Sequence, residues 1–304
     1  MRIAALDLGT NTFHLLVAEK KDGVKFLFKK TRVVKLGREG FNNGMISDKA
    51  FLRGINALKI FSAYLEKLKP DKIVAFATSA LRECKNGSTF IKQGEKILKS
   101  RIEIISGEKE AELIYFGVKN SFVLTNNPVL IMDVGGGSIE FIIATDLKIL
   151  WKRSIAIGAA RLLEKFSPSD PINKKELASI EKYLSNHLSP VLEKIHKYKP
   201  RIIVGSSGSF DSIALIYANR KIKKRAYLKN PAFEIPLRDY ILTHKRFLSS
   251  TKKQRLKMKG LHRLRVDMIV PASISINYIL KNSEIKKLFR SEYSLKEGIV
   301  FRQL

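Results

Sequence analysis

Cysteine is nearly absent. The single Cys84 in 304 residues excludes a disulfide framework and any multi-cysteine metal centre. Long apolar runs are also missing. None approaches the ~20 residues needed to cross a bilayer, and Asp7 interrupts the opening stretch Met1 to Gly9. Neither a membrane span nor a signal peptide is expected, so the sequence reads as a cytoplasmic protein. Nine prolines and a hydrophobic fraction of 45% exclude wholesale disorder, collagen and low-complexity architectures. Acidic residues are scarce: Asp+Glu number 28 against 57 Lys+Arg, for a formal net charge of +29. Such a surplus points to a polyanionic partner, whether nucleic acid, an anionic membrane surface or a phosphate-rich substrate. Lysine outnumbers arginine about two to one, which suits solvated surface decoration better than bidentate arginine clamps.

What is there repeats. Ile3 to Val17 is an apolar run, a small polar gap and a second apolar run, and Val129 to Ile143 has the same layout. Each reads as strand, tight Gly-containing turn, strand. In each an Asp (Asp7, Asp133) stands two residues before a Gly. Pro70 to Ser79 and Pro200 to Ser209 form a second pair, each a short apolar strand ending in small hydroxyl residues. The two pairs share an offset of about 126 to 130 residues, which predicts an internal duplication. A helix precedes the second strand in each half. Ser47 caps one with apolar positions Phe51, Ile55, Leu58, Leu65 and Leu68. Asn173 and Glu176 form a capping box for one with Leu177, Ile180, Leu184, Leu188, Leu192 and Ile195. The expectation is α/β: an N-terminal domain over residues 1–122 and a C-terminal domain over residues 123–304, with a ligand cleft between them. The C-terminal part carries basic stretches at Lys221 to Arg225 and Lys252 to Arg265, and a short closing helix beyond Ser294 that is free to pack on the first domain.

Small residues let backbone N–H groups approach a ligand, and successive N–H groups form an anion nest. Gly9, Thr10, Asn11 and Thr12 in one turn, and Gly135, Gly136, Gly137 and Ser138 in the other, are therefore candidate phosphate cradles, with ordinary β-turns as the plainer reading. A carboxylate repels a phosphate unless a cation lies between them, and Mg²⁺ binds through one or two carboxylates plus substrate phosphates. Asp133 with Glu140, and Asp7 beside the other turn, are candidate metal ligands; a turn cap and an exposed strand residue are the alternatives. Arg82, at a strand end after Thr78 and Ser79, has the guanidinium to clamp a phosphate, or to make a surface pair with Glu83 or Glu112. Ser106 reads as an N-cap, and Glu108, Glu110 and Glu112 then give an acidic first turn of the kind a helix dipole favours.

These residues together resemble the exopolyphosphatase / guanosine pentaphosphate phosphohydrolase family (Ppx/GppA phosphatases). The matching pieces are Asp7 to Leu15, Ala77 to Arg82, Ile105 to Tyr115 and Asp133 to Glu140, with looser matches at Val204 to Ser209 and Glu297 to Ile299. The resemblance implies two duplicated ribonuclease-H-like domains of the actin-like ATPase and sugar-kinase superfamily, with the active site in the cleft. It implies Glu110 as the general base on the attacking water and Arg82 on the scissile phosphate. Asp133 and Glu140, with Asp7, would surround a Mg²⁺ or other divalent cation. Ser79, Ser207, Gly208 and Ser209 would join the two glycine turns along the phosphate path. The partner so implied is inorganic polyphosphate or guanosine pentaphosphate, without membrane or nucleic acid, and a homodimer is compatible with the family.

Departures are visible. Lys109 stands beside Glu110 where many relatives carry Glu, and a neighbouring cation is expected to lower the base's pKa. The Ser206 to Ser209 turn is poor in glycine. The chain ends at Leu304, without the extra helical domain that helps longer relatives grip long polyphosphate, so processive action is less expected and the nucleotide substrate gains plausibility; release of terminal orthophosphate from polyphosphate stays the first reading and guanosine pentaphosphate hydrolysis its alternative. Competing readings are an actin-like ATPase or sugar kinase, and a non-catalytic polyanion- or nucleotide-binding protein. If the charge surplus serves a phosphate chain, the two basic stretches are expected to flank a path to Arg82 and Glu110.

Overall fold

The computed structural model describes residues 1–37, 44–221 (Lys221 by backbone only) and 230–303. The expected basic stretch Lys221 to Arg225 therefore lies outside the described residues, apart from the Lys221 backbone. No helix among the described residues is long and apolar enough to cross a membrane.

Two mixed sheets form the frame. The first comprises β1 (Arg2–Leu8), β2 (Thr12–Lys21), β3 (Gly23–Val33), β4 (Lys72–Ala77) and β5 (Ile102–Ile104), in the order β3-β2-β1-β4-β5. The second comprises β6 (Val129–Val134), β7 (Ile139–Ala144), β8 (Ile149–Ile155), β9 (Ile202–Ser206), β10 (Ala232–Ile235) and β11 (Lys287–Ser291), in the order β10-β11-β9-β6-β7-β8. Strands β1 to β3, like β6 to β8, are an antiparallel meander, and β4 and β9 lie parallel to β1 and β6. The second sheet thus repeats the first and adds β10 at its edge. This is the α/β, ribonuclease-H-like duplication that the sequence led us to expect. The central strands β6 and β7 are buried along their whole length, as their Val/Ile/Leu content requires of strands covered on both faces.

Helices cover the outer faces. In the first half these include α1 (Asp48–Leu68) and α3 (Gly87–Leu98), with the short α2 (Ser79–Glu83) between β4 and α3. Ser47 caps α1 by accepting from Ala50 N, and Ile55, Leu58 and Leu65 are buried. In the second half α5 (Ala159–Phe166), α6 (Lys174–Tyr198) and the helix Ile269–Lys281 enclose a large apolar core. The Asn173–Glu176 capping box is present at the start of α6, and α7 (Ser207–Lys221) leaves β9 directly.

Between the sheets lies a third core. It holds Ala5, Leu16 and Phe76 of the first sheet, Ile131, Ile142 and Val204 of the second, and two helices. These are α4 (Gly107–Lys119), which packs on β7 and β8, and the C-terminal helix Leu295–Gln303, which packs on β1 and β2. Each half therefore sends its last helix onto the other half's sheet. The two helices cross where Gly117 and Gly298 meet: a Cβ on Gly298 would lie 1.8 Å from the Leu113 carbonyl oxygen, and one on Gly117 2.2 Å from that of Ser294.

Candidate active site

The two glycine turns line one cavity of about 500 Å³ between the halves. They have the same internal geometry. Gly9 N donates to Thr12 O and Gly135 N to Ser138 O, each at 3.1 Å. They also touch: a Cβ on Gly137 would fall 2.3 Å from Ser79 Oγ and 2.7 Å from Thr10 Oγ1. The carbonyls of both turns are taken by other segments. Val34 N and Lys35 N donate to Asn11 O, and Leu36 N to Thr10 O. Opposite, Ala159 N donates to Gly135 O, Ala160 N and Arg161 N to Gly136 O, and Gly158 N to Gly137 O. Thr10 Oγ1 and Asn11 Nδ2 are buried without a hydrogen-bond partner. Orphaned polar atoms of this kind cost free energy unless a ligand meets them.

Four carboxylates gather beside the turns. Asp7 and Asp133 are the last but one residues of β1 and β6; Glu140 pairs opposite Asp133 on β7. Glu110 lies in the first turn of α4, which Ser106 caps by accepting from Lys109 N. Of the three glutamates there, Glu108 is exposed, Glu112 half-buried and Glu110 buried. Glu112 is held below the ordinary carboxylate range, against its own burial, by Lys109 and Lys152, at 3.1 and 3.4 Å. Burial, reinforced by Glu140, pushes Glu110 well above that range against the Arg82 guanidinium. The expectation that Lys109 lowers the pKa of Glu110 is thus corrected, because Lys109 is turned to Glu112. Arg82 instead lies 3.5 Å from Glu110 and donates to Ile105 O at 2.8 Å.

Burial pushes Asp7 up to about 7, opposed by Lys296 and reinforced by Asp133 and Glu297. Burial and Asp133 push Glu140 up to about 7, against hydrogen bonds from Ser154 and Ser138. Asp133 is raised by burial, tempered by Ser206 and Ser207, and Ser206 Oγ donates to it at 2.5 Å. Among the described residues no three His, Cys, Asp or Glu side chains are disposed to hold a metal by themselves. Buried, mutually repelling oxygen donors fit a hard divalent cation that takes one or two carboxylates and completes its shell with phosphate and water. Of the three expected ligands, Asp7 and Asp133 line the cavity and Glu140 lies behind its wall, so the fit is to one or two carboxylates and not to a three-carboxylate cage.

Most of the residues singled out from the sequence line the cavity: Asp7, Gly9 to Thr12, Ser79, Glu110, Asp133, Gly135 to Ser138, Ser207 and Gly208. Arg82 and Glu140 stand behind the wall, Arg82 against Glu110 and Glu140 against Ser154 Oγ at 2.7 Å. Ser209 is buried in α7 away from the cavity, its hydroxyl without a partner. Ser79 lines the cavity, but its hydroxyl donates to Glu83 at 2.7 Å.

The sequence model of the Ppx/GppA phosphatase family matches residues 16–304. The chain belongs to the Ppx/GppA phosphatase family. It is accordingly a phosphatase-type hydrolase. It is similar to the crystal structure of an exopolyphosphatase from Cytophaga hutchinsonii, with TM-score 0.97 and 34% identity over 100% of this chain and 97% of that one. A Haemophilus influenzae protein, provisionally named an exopolyphosphatase, is 27% identical over 300 residues, 98% of this chain and 90% of its own length. The Aquifex aeolicus family member shares the fold, with TM-score 0.81 and 24% identity over 100% of this chain and 97% of that one.

Among the cleft residues of this family member that have no individual signal in the sequence are two cations. Lys296, brought in by the C-terminal helix, lines the cavity with its Nζ 3.1 Å from Glu297. Arg290 of β11 lies 2.5 Å from Asp211. The basic stretch Lys252 to Arg265 does not run along the cleft as a whole. Arg265 does line the cavity, against Gly208, where a Cβ would meet its guanidinium at 2.3 Å. Arg255 is instead buried elsewhere, bonded to Val266 O and Asp170, and Lys252 pairs with Asp267. Lys253, Lys257 and Lys259 face solvent.

Proposed function

We propose that this protein is an exopolyphosphatase, releasing terminal orthophosphate from inorganic polyphosphate by in-line attack of water. The observation that carries the reading is Glu110: a carboxylate buried at the cavity wall, with its pKa pushed up, 3.5 Å from Arg82 and facing the two glycine turns. Cleaving a terminal phosphoanhydride needs a water in line with the leaving oxygen, a base to take its proton and positive charge on the transferring group. Ionised Glu110 accepts the proton from the water. A carboxylate with a raised pKa is a stronger base than one in water, at the cost of being ionised only at higher pH. Arg82, beside Glu110 at the wall, would turn its guanidinium from Ile105 O to the terminal phosphoryl oxygens, while the N–H groups of the two turns other than Gly9 and Gly135, which close the turns themselves, hold the phosphate chain. Asp133 and Asp7, with Glu140 behind them, would hold Mg²⁺, which when bound neutralises charge on the phosphate oxygens.

The names of the Cytophaga hutchinsonii and Haemophilus influenzae proteins support polyphosphate as substrate. Guanosine pentaphosphate needs the same chemistry at its 5′ end and is the comparison substrate. The test is phosphate release from long polyphosphate, short polyphosphate and guanosine pentaphosphate at fixed Mg²⁺. Polyphosphate should be turned over fastest, and Glu110→Gln should cost about 10²–10⁴ in kcat, the usual worth of a general base. Full activity in Glu110→Gln would remove the base assignment; preference for guanosine pentaphosphate would move the substrate.

A further inference from the structure

Arg161 is absent from the cavity wall, yet it touches the wall's most crowded turn. Its Nε donates to Gly137 O at 3.1 Å. Its Nη2 lies 2.5 Å from Glu83 of α2, in the other half of the molecule. Glu83 in turn accepts from Ser79 Oγ, and Ser79 is the side chain that a Cβ on Gly137 would strike. The first amides of α5 already take the carbonyls of Gly135, Gly136 and Gly137. At Gly158 there is no room for a side chain, since a Cβ would lie 2.4 Å from Gly136 O. With its carbonyls drawn toward α5 and Gly135 N closing the turn on Ser138 O, the turn is left with its other N–H groups for the cavity.

We propose that Arg161 and Glu83 form a latch between the two halves, which fixes the Gly135–Ser138 turn in its phosphate-accepting orientation and holds it against Ser79. Arg161 is a positioning residue: it acts through the Gly137 peptide and does not touch the reacting atoms. The latch joins elements that no strand pairing joins, since α2 follows the first sheet and α5 the second. A planar guanidinium suits the task, because one group serves a carbonyl and a carboxylate with separate, fixed N–H vectors. The first half holds its own turn without such a latch, through the amides of Val34 to Leu36.

The inference rests on the phosphate-binding reading of the turn, so the experiment measures binding and turnover separately. Orthophosphate affinity by calorimetry with Mg²⁺, kcat and KM on polyphosphate, and thermal midpoints are compared for wild type, Arg161→Met, Arg161→Lys, Glu83→Gln and the Arg161→Met/Glu83→Gln double variant. Arg161→Met should weaken orthophosphate binding and lower kcat/KM by about tenfold to a hundredfold, as small misplacements of positioning groups do. Arg161→Lys should recover part of both. The double variant should be no worse than about threefold beyond Arg161→Met, because coupled residues do not add. Orthophosphate affinity within about twofold of wild type in Arg161→Met, or losses that simply add, would overturn the latch. A folded Arg161→Met protein that loses only thermal stability would overturn it too, as would a wild type that binds no orthophosphate. If the wild type binds orthophosphate through the latch but hydrolyses no phosphoanhydride, the latch stands and the hydrolase reading falls.

Discussion

Glu110 shows how burial selects one carboxylate from three. Glu108 and Glu110 lie in the first turn of α4 and Glu112 just beyond it, and acidic residues there suit a helix dipole. Only the way α4 lies against the second sheet turns Glu110 inward and leaves Glu112 to Lys109 and Lys152. The glycines are as position-specific. Gly137→Ala would place a methyl carbon 2.3 Å from Ser79 Oγ, so the turn must back away from the Thr10 turn. The expected result is a loss of at least about tenfold in kcat/KM, with the protein still folded by circular dichroism. Wild-type kinetics in that variant would mean that the two turns need not touch. The motif residues were legible in the sequence because a strand, a glycine turn and an Asp recur in order. Lys296 was not legible as a cleft residue. Beside Glu297 it looks like any solvated pair, and it gains a role only where the C-terminal helix docks.

At the scale of elements, the exchange of last helices joins the halves. α4 and Leu295–Gln303 cross at Gly117 and Gly298, with carbonyls at distances no side chain tolerates. Gly298→Ala should cost about 1–3 kcal/mol or more, the range for an overpacked core, read as a lower urea midpoint. Because the same helix carries Lys296 into the cleft, orthophosphate affinity should fall with it; an unchanged midpoint would show that the crossing has slack. The capping residues Ser47, Ser106 and Asn173 were legible, since an N-cap is a local interaction. Strand β11 was not. Lys287–Ser291 is five residues with a basic residue near each end; it becomes a strand by pairing parallel to β9 and antiparallel to β10, a choice made by partners far away in sequence.

For the whole molecule, the cleft concentrates negative charge inside a protein with a large positive excess. Asp7 and Glu140 are both pushed up to about 7 in the folded state, above the roughly 4 of an unfolded carboxyl. A raised carboxyl favours folding when protonated, so its contribution is full below about pH 4 and is lost as pH rises through about 7. Without divalent cation, Glu140→Gln should therefore match wild type in thermal midpoint near pH 4 and exceed it at pH 8. Added Mg²⁺ should close that gap at pH 8 by binding only the folded wild-type cleft. A gap that is absent at pH 8, or that Mg²⁺ widens, would count against the buried repulsion and the cation site together. The charge surplus itself divides unevenly. Arg265 and Lys296 reach the cavity, whereas Arg255 serves the core and several lysines of the same stretch face water.

The amino-acid sequence by itself determined the duplication, the glycine turns, the helix caps and the acidic and hydroxyl residues that end the strands. Each of these, and for the duplication each separate copy of the pattern, is written within a window of about a dozen residues, where spacing and local hydrogen bonding decide the outcome. The tertiary structure decided which glutamate is buried, where Lys109 points, which basic residues of Lys252 to Arg265 reach the cleft, and how Arg161 spans the halves to Glu83. Those outcomes depend on burial and on contacts between residues tens to hundreds of positions apart, and a side chain's charge state follows from its surroundings only once the two sheets have closed around it.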